Sequence, residues 1–294
     1  MTNHIHRLRR RDERTAFLML FPAFIILTVF GVIPLIMAAV QSFQDYNTHA
    51  FTLANYDYIF KTPEFLKSFQ NVILFTAIIT FCQMILPFLF AHVIKGMLAK
   101  ASQFVKIIIY LPCLISSVAT SVIYAFILNY GGGLLTSIWS SLGKEPISFL
   151  TQGIWPQVVV IVITIWCSFG YYSLIMLAGL LNIPQTYYEA ARLDGANSLA
   201  LTTKITIPCM KNYFILMLIH LITGNMQMMD IPYMVTGGGP LNRTLTPALY
   251  LYNSFRDTSR NQHVTIAGAL LIMVVIVAIN SIAFRLIKSE KSGE

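Results

Sequence analysis

Charge is what this sequence has least of. Asp, Glu, Lys and Arg make up 11% of its 294 residues, less than half the roughly 25% of an ordinary soluble domain. A surface so poor in charge does not suit a soluble enzyme, and 56% hydrophobic residues with a mean hydropathy of +0.68 exclude that class. Intrinsic disorder is excluded by the 13% of aromatic residues and the long Ile, Leu and Val runs. Cysteine is scarce. Cys82, Cys113, Cys167 and Cys209 stand singly with no C-x-x-C spacing, so they read as packing residues rather than disulfides or metal ligands. No H-E-x-x-H or G-x-S-x-G motif occurs, and His92 and His220 have no Cys, Asp or Glu at ligand spacing. There is no G-x-x-x-x-G-K-[ST] loop, and the triglycine at 237–239 runs into Pro240, which has no N–H to offer a phosphate. The chain is therefore predicted to catalyse nothing and to hold no cofactor or metal of its own.

What it has instead is six apolar runs, at residues 16–43, 69–94, 104–128, 157–181, 213–235 and 264–287. Each is long enough to cross a hydrocarbon core about 30 Å thick. Backbone groups find no water there, and the alternation of a membrane barrel is absent, so each run is predicted to be a helix. This predicts an all-α membrane protein: a basic N-terminus at 1–15, a six-helix transmembrane domain at 16–287, and a tail at 288–294. The first run follows Arg7 to Arg14 as a secretory signal would, but it is too long for one and lacks a clear cleavage pattern. The net charge of +8 and pI near 9.3 come from residues scattered at the ends of runs, which is topology rather than a nucleic-acid surface. With both termini inside, fourteen of the 20 Lys and Arg face the cytoplasm and six face out, as the positive-inside bias requires.

A coupled carrier generally keeps ionisable groups deep in the bilayer. Only Asp230 is a candidate. It stands 19 residues beyond Lys211, about 28 Å along a helix and so near the far boundary of the core. A channel would want a repeated filter element, and the sequence has no internal repeat. A stand-alone secondary carrier for a neutral solute and a membrane scaffold remain as alternatives.

The longest polar loop, 182–212, carries the most specific signal. Thr186 and Glu189 have capping-box spacing, and Gly195 suits a left-handed C-cap, so a short helix is predicted over 187–194. Two turns do not stand alone in water, so a partner surface must hold them. Tyr187, Ala190, Ala191 and Asp194 share one face, and the two alanines allow close approach. Capping, termination and packing on its own bundle account for the same residues equally well.

Glu189-Ala190-Ala191, three residues, Gly195, nine residues, then Ile205-Thr206-Ile207-Pro208 resembles the EAA loop of permease subunits in bacterial binding-protein-dependent ABC importers. Ile207 alone departs, standing where that family usually has Leu. Leu193-Asp194-Gly195-Ala196, Ala178-Gly179-Leu180, Ile183-Pro184 and Thr236-Gly237-Gly238-Gly239-Pro240 resemble the maltose-type carbohydrate permeases, as do Phe21-Pro22, Ser42-Phe43 and Leu111-Pro112. The resemblance implies a maltose-type bundle in the bacterial cytoplasmic membrane, with a cytoplasmic coupling helix seated in a cleft of an ATP-hydrolysing subunit. Glu189, Ala190, Ala191, Asp194, Gly195 and Pro208 would carry that coupling. The implied partners are a second homologous permease subunit, two ATP-binding subunits that use ATP and Mg, and an extracytoplasmic solute-binding protein delivering a carbohydrate.

A neutral sugar needs aromatic faces and hydroxyl or amide partners. Trp166, Ser168, Tyr171 and Tyr172 cluster at the middle of the fourth run, and Asn225 and Gln227 lie in the outer half of the fifth. The third run adds Ser116, Ser117, Thr120 and Tyr124. Helix-internal bonding of Ser and Thr and aromatic packing explain the same residues without a pathway. Gly237, Gly238, Gly239 and Pro240 form a candidate binding-protein-facing loop, or a turn that only ends the span.

Overall fold

The computed structural model describes residues 17–257 and 259–286. Its elements are helices, with no strand among the described residues beyond an isolated bridge between Gln44 and Phe51. In chain order they are α1 (Phe17–Ser42, with a π-helical turn at Thr28–Val32), α2 (Ala54–Lys61), α3 (Pro63–Lys95), α4 (Ala99–Leu114), α5 (Ser117–Ile127), α6 (Leu134–Ser141) and α7 (Trp155–Leu181). Then follow α8 (Gln185–Leu193), α9 (Ser198–Cys209, with a π-helical turn at Thr202–Thr206), α10 (Lys211–Met226), α11 (Asp230–Thr236), α12 (Pro247–Arg256) and α13 (Gln262–Leu286).

Four helices, α1, α3, α7 and α13, are each long and apolar enough to cross a membrane. Two bent pairs, α4 with α5 and α9 with α10, pass the same test together, which brings the spans to six if each pair is one. The bends were not predicted. α4 meets α5 at 92°, across extended backbone at Ile115 and Ser116, and α9 meets α10 at 66° around Met210. The fifth run breaks again at Gln227 to Met229 before α11. Hydropathy does not register the bend at Ile115 and Ser116, because apolar residues continue through it and an apolar window is blind to backbone direction, and the bend around Met210 falls in the loop 182–212, outside the apolar runs.

The chain divides into two units, Met1–Lys61 with Asp257–Leu271, and Thr62–Arg256 with Ile272–Glu294. In the first, α1 exposes apolar side chains along its whole length, as a helix meant for hydrocarbon does. Past its end, the buried Asn55 amide donates to the carbonyls of Ser42 and Gln44, both at 2.9 Å. Nearby, Asp45 accepts from Thr48 N–H, the Thr48 hydroxyl and Asn47 N–H, and these bonds hold its carboxyl below the usual carboxylate range.

The second unit is built on α3 and α7. One core cluster joins Phe88, Ala91 and Ile94 of α3 to Tyr172, Met176, Leu177 and Leu180 of α7 and to Met217 and Leu221 of α10. Another joins Phe75 and Ile79 of α3 to Val159, Val160 and Ile163 of α7 and to Ile231 and Val235 of α11. Two glycines set how closely α7 is approached. A Cβ at Gly170 would stand 2.6 Å from the carbonyl carbon of Ile109 and 2.9 Å from Tyr110 Cα, so α4 crosses α7 backbone to backbone there. At Gly179 a Cβ would meet Met210 Cε at 2.8 Å and the Tyr213 ring at 3.0 Å.

Candidate functional site

A cavity of about 460 Å³ opens where the fifth run breaks, lined in part by Ser117, Thr164, Asn225, Gln227 and Asp230. Its origin is local. Pro232 has no N–H, so a helix through it could not bond back to the carbonyl of Met228. That carbonyl instead accepts the Thr246 hydroxyl at 2.7 Å. The chain stops at Met226 and restarts at Asp230, leaving Gln227 exposed on the cavity wall. Ser117 Oγ, in the first turn of α5, donates to Asp230 Oδ2 at 3.1 Å across the opening. Asn225 is 7% exposed and donates to Thr80 Oγ1 at 3.3 Å. Behind Thr164, Gln83 of α3, 1% exposed, donates to Ser168 Oγ and to the Thr164 carbonyl, and its Oε1 has no partner among the described residues. The wall therefore presents amides, hydroxyls and one carboxylate in an otherwise apolar bundle.

The loop after α11 is tightly held. Gly237 takes a left-handed φ of 62° and ends the helix, and Gly238 follows at 90°. Thr244 Oγ1 donates to the Gly239 carbonyl at 2.9 Å, and the buried Asn71 amide of α3 donates to the carbonyls of Asn242 and Leu245 at 2.6 and 2.8 Å. Arg243 reaches the Gly153 carbonyl. Leu241, at the tip, is 84% exposed.

At the loop 182–212, α8 runs from Gln185 and is N-capped by Pro184 without a side-chain bond. The expected capping box of Thr186 and Glu189 does not form, because the helix starts early enough to put Thr186 inside its first turn. The C-terminus is as expected. Gly195 takes φ +81°, Ala196 N–H bonds Ala191 O at 2.9 Å and Gly195 N–H bonds Arg192 O at 3.0 Å, the two bonds of a Schellman motif. Tyr187 and Leu193 are 54% and 90% exposed. Glu189, Ala190 and Asp194 are exposed, Ala191 is half-buried, and Pro208 lies exposed in the last turn of α9.

The family described as "Binding-protein-dependent transport system inner membrane component" matches residues 84–291, more than half of the chain. The chain belongs to this family. It is similar to the lactose transport system permease protein LacF of Rhizobium radiobacter, 28% identical over 92% of this chain and 94% of the relative. It is also similar to the osmoprotective compounds uptake permease protein GgtC of Synechocystis sp., 30% identical over 89% and 95%. Its fold is that of a chain in the crystal structure of a bacterial ABC transporter involved in the import of the acidic polysaccharide alginate. There the TM-score is 0.85 at 22% identity, covering 97% of this chain and 100% of the other.

In this multi-pass inner membrane component the six candidate pathway residues are not one site. Asn225 and Gln227 line the cavity, and Ser168 stands one bond behind it, its hydroxyl donating to the Thr164 carbonyl at 2.8 Å. Trp166, 39% exposed, meets Tyr124 edge-on at 5.6 Å. Tyr172 belongs to the other core cluster, where its hydroxyl pairs with His220 Nδ1 at 3.0 Å beside Tyr171. Middle-of-span clustering groups residues by height and ignores direction: at about 100° per residue, Ser168 stands about 200° round the helix from Trp166. Asp230 and Thr164 belong to the cavity and were not in the candidate set. Asp230 was legible only as a lone carboxylate, and Pro232 two residues on was the signal that the helix would open beside it.

Proposed function

We propose that this chain is the transmembrane permease subunit of a carbohydrate ABC importer, with both termini in the cytoplasm. The observation that carries the proposal is α8: a Schellman-capped helix of nine residues whose apolar Leu193 points into solvent, inside a chain of the binding-protein-dependent family. A helix that short is stable only against a surface, and an exposed leucine at its end marks where that surface is missing. An ATP-hydrolysing partner subunit supplies it. The permease itself catalyses nothing; ATP and Mg act in the partners.

The relative named for lactose supports a carbohydrate substrate. So does the cavity, whose amides and hydroxyls suit sugar hydroxyls. A second permease subunit, two ATP-binding subunits and an extracytoplasmic binding protein docking near Leu241 complete the machine. ATP favours one arrangement of the bundle, and loaded binding protein stabilises the same one, so the two ligands are coupled through differential binding.

The test is co-purification. Gly195→Leu forces a side chain into a left-handed position, and Glu189→Arg reverses the charge of an exposed residue midway along α8. Both variants should reach the membrane and lose the ATPase and uptake. Normal uptake by both would reduce the loop to a connector.

A further inference from the structure

We infer that Lys95, Tyr188 and Thr206 form a clamp that makes α8 and the adjoining ends of α3, α7 and α10 move as one piece. The inference rests on the reading of α8 as the helix that receives the ATPase. Tyr188 is the residue through which α8 holds the bundle: it is half-buried against the cluster containing Ile94, Leu180, Ile183 and Met210, while Tyr187 beside it faces solvent. Three contacts converge there. The Lys95 ammonium, on the last residue of α3, lies 4.8 Å from the centre of the Tyr188 ring. The same ammonium donates to the Leu180 carbonyl, near the end of α7, at 3.2 Å. The Tyr188 hydroxyl pairs with Thr206 Oγ1 at 3.0 Å.

Each partner has an easier alternative. Thr202 and Thr203 bond their own helix, to Ser198 O at 3.0 Å and Leu199 O at 2.9 Å. Thr206, 2% exposed, turns its hydroxyl to Tyr188 as well as to Leu201 O. A lysine at a helix end ordinarily extends to water, yet Lys95 reaches back across two helices. Thr206 also stands four residues before Met210, which is fully buried and is where the chain turns 66° into α10. A second tie runs beside the clamp, from Asn182 Nδ2 to the Tyr213 hydroxyl at 2.5 Å. A displacement of α8 therefore arrives at α3 through Lys95, at α7 through the Leu180 carbonyl and, through Thr206, at the end of α9 where the chain turns into α10. All three helices supply residues to the cavity or stand directly behind it. The clamp residues are positioning residues; none touches substrate or nucleotide.

The experiment uses the complex purified with its ATPase, carrying spin labels at Val93 and Arg192 in one preparation and at Leu142 and Arg192 in another. Distances are measured without nucleotide and with MgATP plus orthovanadate. The Leu142–Arg192 distance should shift, while Val93–Arg192 stays fixed. Lys95→Met or Thr206→Val should free the Val93–Arg192 distance and shrink the other shift, with the ATPase still co-purifying in full, and Lys95→Arg should restore both. A Val93–Arg192 distance that changes as much as Leu142–Arg192 in the parent, or stays fixed in both variants, overturns the clamp and leaves the coupling reading standing. Loss of the ATPase from both variants overturns it too, since the residues would then assemble rather than transmit. If Leu142–Arg192 does not shift in the parent, the coupling reading fails and takes the clamp with it.

Discussion

Helix α8 turns an apolar side chain outward, with Leu193 90% exposed, whereas the cavity at Gln227 turns amides, hydroxyls and a carboxylate into an apolar bundle. Each reverses what its surroundings favour. An exposed leucine in water and a polar wall in an apolar bundle are both costly unless another molecule completes them. The difference lies in how each is held. α8 depends on its own backbone, through the αL turn at Gly195, and on one tyrosine. The cavity depends on α3, α5, α7, α10 and α11 meeting correctly, and so on the packing of the whole unit.

That contrast fixes the order of mutational effects. The largest belongs to the packing. Gly170→Ala drives a methyl into the Ile109 backbone, which cannot retreat, and should cost about 1–3 kcal/mol or more. The protein should disappear from membrane immunoblots, while Gly224→Ala, with nothing within 4 Å, should accumulate normally. Equal accumulation of both would show that the helices do not cross at Gly170.

Next come the cavity residues. Asn225→Leu and Gln227→Leu each remove hydrogen bonds worth about 0.5–1.5 kcal/mol, so substrate uptake should fall roughly two- to twelve-fold. ATPase co-purification should stay intact. Parallel loss of assembly would move these residues from the pathway to the scaffold. Asp230→Asn should fall in the same range, because Ser117 keeps an acceptor but the carboxylate is gone.

The smallest effect separates Tyr172 from the cavity. Tyr172→Phe keeps the ring and loses the bond to His220, so the detergent-solubilised complex should melt slightly lower with uptake unchanged. A specific loss of uptake would restore Tyr172 to the pathway and break the division drawn above.

What the sequence made legible follows the same line. The C-terminus of α8 is a matter of a few neighbouring residues, and Gly195 announces it because only glycine takes φ +81° without strain. The long apolar helices are legible for a similar reason, since hydrocarbon selects residue by residue. The start of α8 was misread because capping-box spacing does not show whether Pro184 has already begun the turn. The bend at Ile115–Ser116 was invisible inside a continuous apolar run, whereas Pro232 pointed to an interruption of the fifth run without fixing it at Gln227–Met229. Cavity membership was only half legible. Asn225 stood out as a buried amide, but that it meets Thr80, or that Ser117 meets Asp230, depends on helices far apart in sequence.

The most direct test of α8 as the site of ATPase docking is a photo-crosslinking amino acid at Leu193, irradiated in native membranes, with the exposed Leu216 of α10 as control. Docking requires that Leu193 yield one protein adduct, with a subunit that binds ATP, while Leu216 yields lipid. Adducts at Leu193 with lipid or with this chain alone would contradict it.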